Sequence, residues 1–390
     1  MKKRVLFVIH QLTVGGSQSS LISALNAIDY DAYDVTLFVR RNKIPLINKI
    51  NKNVKIIIND DPHHYYRKLS VAILVIRKNI AKLFSNNKKV ELLQEKISSR
   101  INNYRLKYEF DHFFKNQYYD IAVSYISGWN CILIPTCVSA KRKICYHFVS
   151  IVDEPSVYEK YFPLYDCIVA DSEGSANSLR EYFPSIRERF VVIKNYIDYQ
   201  QIISLANQCY NLNNTHEHLF VSCARFTKPK GFDLAVRAAN ILKTKNIDFL
   251  WVFIGDGPER DRIVSLISEY GLEDNIHITG IMDNPYPLFK VCDIYIHPSY
   301  EESYGLTITT AKMLNKPIVT TRTAGGTEQI NNGVNGILTD ISSESLASGI
   351  IELLENPRLT ERIIEELTKI DYTSDFEKYK MKIQMLLEDC

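Results

Sequence analysis

The chain has 390 residues, 46% hydrophobic and 24% charged, an ordinary globular composition above the size at which a single core stops growing, so two domains are expected. No apolar run approaches the roughly eighteen residues of a membrane span, and Met1-Lys2-Lys3-Arg4 before residues 5–9 is too short and wrongly flanked for a signal peptide; a soluble cytoplasmic protein is expected. The net charge of +2 conceals an asymmetry: residues 1–199 carry 29 Lys and Arg against 19 Asp and Glu, an excess of +10, and the remainder carries −8.

In chain order, apolar runs predict strands near residues 5–9, 35–39, 54–58, 121–125, 143–146, 168–170 and 191–193, with helices between them, the pattern of stacked βαβ units around a parallel sheet. After the first run comes Thr13-Val14-Gly15-Gly16-Ser17, then a helix from about Ser19. Two glycines let backbone approach a ligand, and free amides at a helix start attract phosphate. By itself this is equally a plain turn, and it lacks the spacing of a dinucleotide fingerprint or a Walker loop, which argues against an NAD enzyme or a P-loop kinase. Asp29-Tyr30-Asp31 has the spelling of a metal-binding Asp-x-Asp but reads as a helix terminus.

Between Arg67 and Lys107, eleven basic residues face only Glu91 and Glu95 and interleave with Leu69, Val71, Ile73, Leu74, Ile76, Ile80, Leu83 and Phe84. This suits either a basic amphipathic helix lying on anionic lipid or a solvated helical face; no nucleic acid partner is expected, because interleaved aromatics and a recognition motif are missing. Eight scattered cysteines form no Cys-x-x-Cys pair and read as reduced thiols. His63-His64, His216 and His218 lack a third ligand, and His297, before a proline, is given no role.

The polar, asparagine-rich residues 208–218 read as part of a linker, after which strands are predicted near 219–223, 249–254, 276–278, 294–297, 318–320 and 336–338. Helices should begin at about Phe232, Glu259, Tyr286, Leu306, Thr327 and Ser345. Arg225 and Lys230, after the strand ending at Cys223, are two cations suited to clamp a pyrophosphate and offset the charge developing on it.

The stretch Val221 to Gly231, with Phe253-Ile254-Gly255-Asp256-Gly257-Pro258-Glu259, Cys292-Asp293-Ile294-Tyr295-Ile296-His297-Pro298-Ser299, Glu302-Ser303-Tyr304-Gly305-Leu306 and Thr323-Ala324-Gly325-Gly326-Thr327-Glu328, resembles the carboxyl-terminal domain of the retaining glycosyltransferases of family 4. The resemblance covers residues 219–340 and, more weakly, the first 25. It implies the GT-B fold: an α/β protein of two Rossmann-like domains whose parallel sheets face a cleft. The domains expected are an acceptor-binding one at 1–198 with a basic helical insertion at about 67–115, a linker at 199–218, a nucleotide-sugar-binding one at 219–372, and a final helix at 373–390 packed back on the first domain.

Carried over by the resemblance, Arg225, Lys230, Glu302 and His147 are the catalytic set: the cations ground the diphosphate, Glu302 receives the donor sugar's hydroxyls, and His147 lies near the donor sugar and attacking hydroxyl. Gly15 and Gly16 approach the diphosphate from the other domain, Gly231, Ser303, Tyr304, Gly305 and Leu306 line the phosphate loops, and Ile281 and Met282 pack on the base. Eight positions beyond Glu302 the family pattern has a second glutamate for the ribose, where this chain has Thr310; loss of that charge-assisted bond weakens donor binding by about 1–3 kcal/mol.

The expected function is retaining transfer from a nucleotide-diphosphate sugar, a UDP-sugar, to a glycan or lipid-linked acceptor in surface-polysaccharide synthesis. It would proceed without cofactor or metal in the cytoplasm, either free or peripheral at the inner face of the plasma membrane. The alternatives are an inactive nucleotide-sugar-binding scaffold, suggested by Thr310, and a GT-B phosphorylase or epimerase.

Overall fold

A computed structural model describes residues 2–13, 15–41, 44–59, 110, 113–126, 128–148 and 155–388. The basic insertion, except for its last few residues, and His63-His64 lie outside the described residues, and so does the proposed membrane surface at 67–107. Among the described residues no helix is long and apolar enough to cross a membrane.

Seven strands form the first sheet, in the order β3-β2-β1-β4-β5-β6-β7: β1 Lys3–Ile9, β2 Tyr33–Val39, β3 Lys55–Ile58, β4 Tyr118–Ser124, β5 Ser139–His147, β6 Cys167–Ala170 and β7 Phe190–Val192. β1 pairs parallel with both β2 and β4. Val5 to Ile9 are at most 2% exposed, which is why this strand reads as an unbroken apolar run and not an alternating one. The second sheet has the order β10-β9-β8-β11-β12-β13, from β8 His218–Cys223, β9 Phe249–Ile254, β10 Ile276–Gly280, β11 Ile294–His297, β12 Ile318–Thr321 and β13 Ile337–Thr339.

In chain order the helices are α1 Gly16–Asn26, α2 Trp129–Cys137, α3 Pro155–Tyr161, α4 Glu173–Tyr182, α5 Tyr199–Ala206, α6 Phe232–Thr244, α7 Arg260–Glu269, α8 Tyr286–Val291, α9 Leu306–Met313, α10 Ala324–Gln329, α11 Ser343–Glu355, α12 Pro357–Thr368 and α13 Asp375–Glu388. The chain divides into two compact units, one of Met1–Thr13, Asp29–Tyr146 and Glu154–Ile168, the other of Val14–Ile28, His147–Asp153 and Val169–Cys390.

Both sheets reverse direction of growth at one place, between β1 and β4 and between β8 and β11. Chains leaving the carboxyl ends of such neighbours diverge to opposite faces and leave a crevice, where open α/β sheets bind ligands. The core under the second sheet is aromatic: Phe220, Phe226, Phe232, Phe249, Trp251 and Phe253 are buried, with Phe226 and Phe232 ring centroids 4.4 Å apart. Burial of each such ring contributes about 2–3 kcal/mol. Trp251 Nε1 donates to Ser222 Oγ at 3.0 Å, and Ser222 donates to the Ile296 carbonyl at 2.6 Å, so the polar atoms in this core are paired.

Several element boundaries differ from expectation, α1 starting at Gly16 and β5 at Ser139 among them, and two have a visible cause. Residues 199–206 of the expected linker form α5, because Asp198 caps it by accepting from Gln201 N at 3.0 Å and Ile202 is buried with Met313 and Tyr372. The helix expected from Thr327 starts at Ala324, where Thr323 accepts from Gly326 N at 3.1 Å. In α13, Phe376 and Tyr379 rest against Tyr196, their ring centroids 5.1 and 5.5 Å away.

Candidate functional site

The loop after β8 runs through exposed Arg225 and a short 3-10 turn at Lys228–Lys230 into Gly231, which caps α6 with φ 64°. A Cβ at Gly231 would lie 2.0 Å from the Pro298 carbonyl oxygen, so only glycine permits both the left-handed turn and the close passage of the loop after β11. Pro229 O accepts from Tyr300 N at 2.8 Å and Glu301 N at 3.1 Å, tying the two loops together. Lys230 and Glu302 therefore meet, with Nζ donating to Oε2 at 2.7 Å.

His297 closes β11 with its ring buried and Nε2 2.8 Å from the same Glu302 oxygen. Tyr295 OH and Thr307 Oγ1 face Nδ1 at 3.3 and 3.4 Å; as donors to Nδ1 they assign the ring proton to Nε2, which donates to the carboxylate. Ser299 Oγ lies 3.0 Å from Nε2. Burial opposes ionisation of Glu302, but the Lys230 ammonium and the His297 bond outweigh it and hold the carboxyl down at about 2. Oε2 is thus occupied twice, and Oε1 has no protein partner among the described residues.

The next residue, Ser303, donates to Asp171 Oδ2 at 2.9 Å or to the Phe148 carbonyl at 3.2 Å. Asp171 follows β6 and is 3% exposed; burial pushes its carboxyl up to about 7, with Glu302 and Glu328 adding to the rise against the Ser303 bond. Gly305, at φ 86°, then caps α9, whose first amides, on Leu306 and Thr307, have no backbone acceptor among the described residues. A Cβ on Gly16, at the start of α1, would come 3.1 Å from Leu306 Cδ1, so the Gly15-Gly16 turn lies against this helix start.

The structure thus brings together Lys230, Gly231, Glu302, Ser303, Gly305, Leu306 and Gly16. Arg225 stands near them in sequence, with no side-chain partner among the described residues. Tyr304 is half-buried and its carbonyl accepts from Gln329 Nε2. Met282 packs on the apolar cluster of β8 and β9, whereas neighbouring Ile281 is 69% exposed. Thr310 is 4% exposed, and its hydroxyl donates to the Leu306 carbonyl at 3.1 Å in its own helix. His147 ends β5 fully buried.

Sequence reasoning set His297 aside and overlooked Asp171. Both carry the same usable signal, a polar side chain at or just past the carboxyl end of a wholly apolar strand. A cavity of about 450 Å³ lined by Lys2, Arg4, Tyr30, Asp31, Tyr33, Asp34 and Asn53 lies at the amino ends of β1 and β2, whereas open α/β sheets bind ligands beyond the carboxyl ends of their strands.

Residues 210–369 match the family described as Glycosyl transferases group 1. The lipopolysaccharide core biosynthesis glycosyltransferase LpsE of Rhizobium meliloti is 25% identical over 206 residues, 53% of this chain and 58% of that protein. The N-acetylgalactosamine-N,N'-diacetylbacillosaminyl-diphospho-undecaprenol 4-alpha-N-acetylgalactosaminyltransferase of Campylobacter jejuni is 26% identical over 200 residues, 51% of this chain and 53% of that one. The chain spans little more than half the length of these two relatives.

Two solved structures align over 100% of both chains: Anabaena HepE in complex with UDP and glucose, with a TM-score of 0.72 and 17% identity, and a glycosyltransferase from Rickettsia africae, with 0.67 and 19%. At that identity the likeness is one of fold, the GT-B class of two parallel α/β sheets. The match to the Glycosyl transferases group 1 family thus falls on residues 210–369, in a chain whose fold is of the GT-B class.

Proposed function

We propose that the chain transfers a sugar, with retention of anomeric configuration, from a UDP-sugar to a glycan or lipid-linked acceptor in surface-polysaccharide synthesis. The observation that carries this is the Lys230–Glu302–His297 cluster on the two loops that diverge from β8 and β11. In this reading Lys230, exposed Arg225 and the α9 amides neutralise the departing diphosphate, the part of the reaction where charge develops. Glu302 is ionised at neutral pH, and its unoccupied Oε1 accepts from the hydroxyls of the donor sugar. Lys230 and His297 fix that oxygen's direction from the opposite side. His147 is assigned to the acceptor side on the family resemblance alone.

A relative named for an undecaprenol diphosphate acceptor and a fold neighbour holding UDP and glucose support the substrate classes. Melting curves with UDP-, GDP- and ADP-sugars, followed by turnover with the stabilising donor and NMR of the product's anomeric proton, test the proposal. Stabilisation by UDP-sugars and a retained anomer are expected; nucleotide binding without transfer or hydrolysis would favour the scaffold reading, for which Thr310 is the argument. Residues 67–107 are proposed to hold the chain at anionic lipid, and co-sedimentation with phosphatidylglycerol vesicles that survives neutralising their Lys and Arg would remove that element.

A further inference from the structure

Asp171 sits where a carboxylate has little reason to be. It is 3% exposed; Oδ2 accepts from the Ser303 hydroxyl, its own backbone N–H adds a weaker bond to the carboxyl, and Oδ1 is buried without a hydrogen-bond partner among the described residues. The groups around it are mostly negative. Glu302 adjoins Ser303 on the loop after β11, and Glu328 comes from α10. Lys194, after β7, lies 2.7 Å from Glu328 Oε1 and is held there, while Tyr304 approaches from the start of α9 and His147 ends the neighbouring strand β5. No cation contacts Asp171 among the described residues.

The Ser303 hydroxyl has one proton and two acceptors, Asp171 Oδ2 at 2.9 Å and Phe148 O at 3.2 Å. With Asp171 ionised, the proton is drawn to the carboxylate. With Asp171 protonated, its own O–H donates to Ser303 Oγ, and the serine proton is freed for the Phe148 carbonyl.

We propose that Asp171 is a positioning residue of the donor site: through Ser303 it sets the arrangement of the loop bearing Glu302, and its proton sets the negative charge that a nucleoside diphosphate meets there. This rests on the proposed function and adds to it a residue that the resemblance does not name, together with a proton-linked control of donor affinity. A neutral Asp171 favours diphosphate binding; an ionised one places a second carboxylate beside Glu302 and opposes it. Its carboxyl, raised to about 7, changes charge within the neutral range.

The test measures UDP affinity by calorimetry from about pH 5.5 to about pH 8.5 in the wild type, Asp171→Asn and Ser303→Ala; the ionisation of UDP itself is common to all three and cancels in their ratios. Wild type and Asp171→Asn should bind alike at the acid end, with the wild type at least about threefold weaker at the alkaline end. Ser303→Ala removes a bond that favours the charged carboxylate, so the wild-type step should move to higher pH. A constant ratio of wild type to Asp171→Asn, or a Ser303→Ala profile superimposed on the wild type, overturns the proposal.

A separate titration of the Asp171 carboxyl by carbon-13 NMR in the free protein, assigned by its loss in Asp171→Asn, needs no nucleotide. If UDP binds at no pH while this titration still shifts in Ser303→Ala, the donor reading fails and the Asp171–Ser303 coupling stands. If the titration is unmoved by Ser303→Ala, the coupling fails whatever UDP does.

Discussion

Replacing Asp171 by asparagine should stabilise this protein, and should do so only above acidic pH. A carboxyl whose value rises from 3.8 in the unfolded chain to about 7 in the fold keeps its proton where the unfolded chain has lost it. The folded state therefore loses stability as pH rises from about 3.8 to about 7, and the loss is complete above that. At 1.36 kcal/mol for each pKa unit the full cost is about 4 kcal/mol, of which about 3 kcal/mol accrues between pH 5 and pH 8. The substituted amide keeps the acceptor for Ser303 but leaves its NH2 where Oδ1 now has no partner among the described residues, a penalty of about 1–2 kcal/mol that is the same at both pH values and drops out of the difference. Urea unfolding of both proteins at pH 5 and pH 8 measures that difference directly. A gain for Asp171→Asn that is equal at the two pH values would show that Asp171 is charged or neutral throughout, and the reasoning would fall.

Other substitutions separate structure from chemistry at the same loops. Arg225→Ala should leave the melting temperature unchanged, because the side chain is exposed, yet lower transfer by at least about tenfold; normal turnover would remove it from the diphosphate site. Lys230→Ala should lower both, because Glu302 keeps its burial and loses its ammonium, at about 2–4 kcal/mol. The Glu302 carboxyl, now at about 2, then moves up toward its unfolded value, so stability above the usual carboxylate range falls and the loss of stability on acidification becomes shallower; an equally steep acid limb would contradict the pairing. Gly231→Ala combines a left-handed residue with a Cβ 2.0 Å from the Pro298 oxygen and should cost more than about 3 kcal/mol by thermal or urea melts, a loss that a mobile loop would not show. Thr310→Glu buries a carboxylate and should lower the melting temperature of the free protein, with UDP restoring part of it if the position faces ribose; no added response to UDP places the ribose elsewhere.

The strands were legible because they are parallel and covered on both faces, so each announces itself as an apolar run, such as Phe249–Ile254, with polar punctuation after it. Helix starts were legible where a glycine precedes an apolar residue, as at Gly231-Phe232 and Gly305-Leu306. They were misplaced where a cap does the work: the glycines of α10 read as loop, but Thr323 caps them into a helix, and the close Tyr304 carbonyl leaves no room for a side chain at Gly325. The polar linker read as structureless, although Ile202 and Ala206 give its first part an inward face.

What the sequence could not supply is which polar residues share a charge. Lys230 and Glu302 are 72 positions apart and Asp171 and Ser303 are 132 apart; only the divergence of loops from neighbouring strands makes them partners. That pairing assigns different costs to carboxylates of the same chemical kind. Glu302 is charged and compensated, so it stabilises the fold at neutral pH and, in the proposed reaction, holds a sugar. Asp171 is buried without a cation among the described residues and opposes folding at the same pH, by a cost that an asparagine of the same shape would not carry with pH. A buried carboxyl whose ionisation opposes its own fold at neutral pH gains nothing for the fold by being an acid, and the place to seek its reason is the loop it touches.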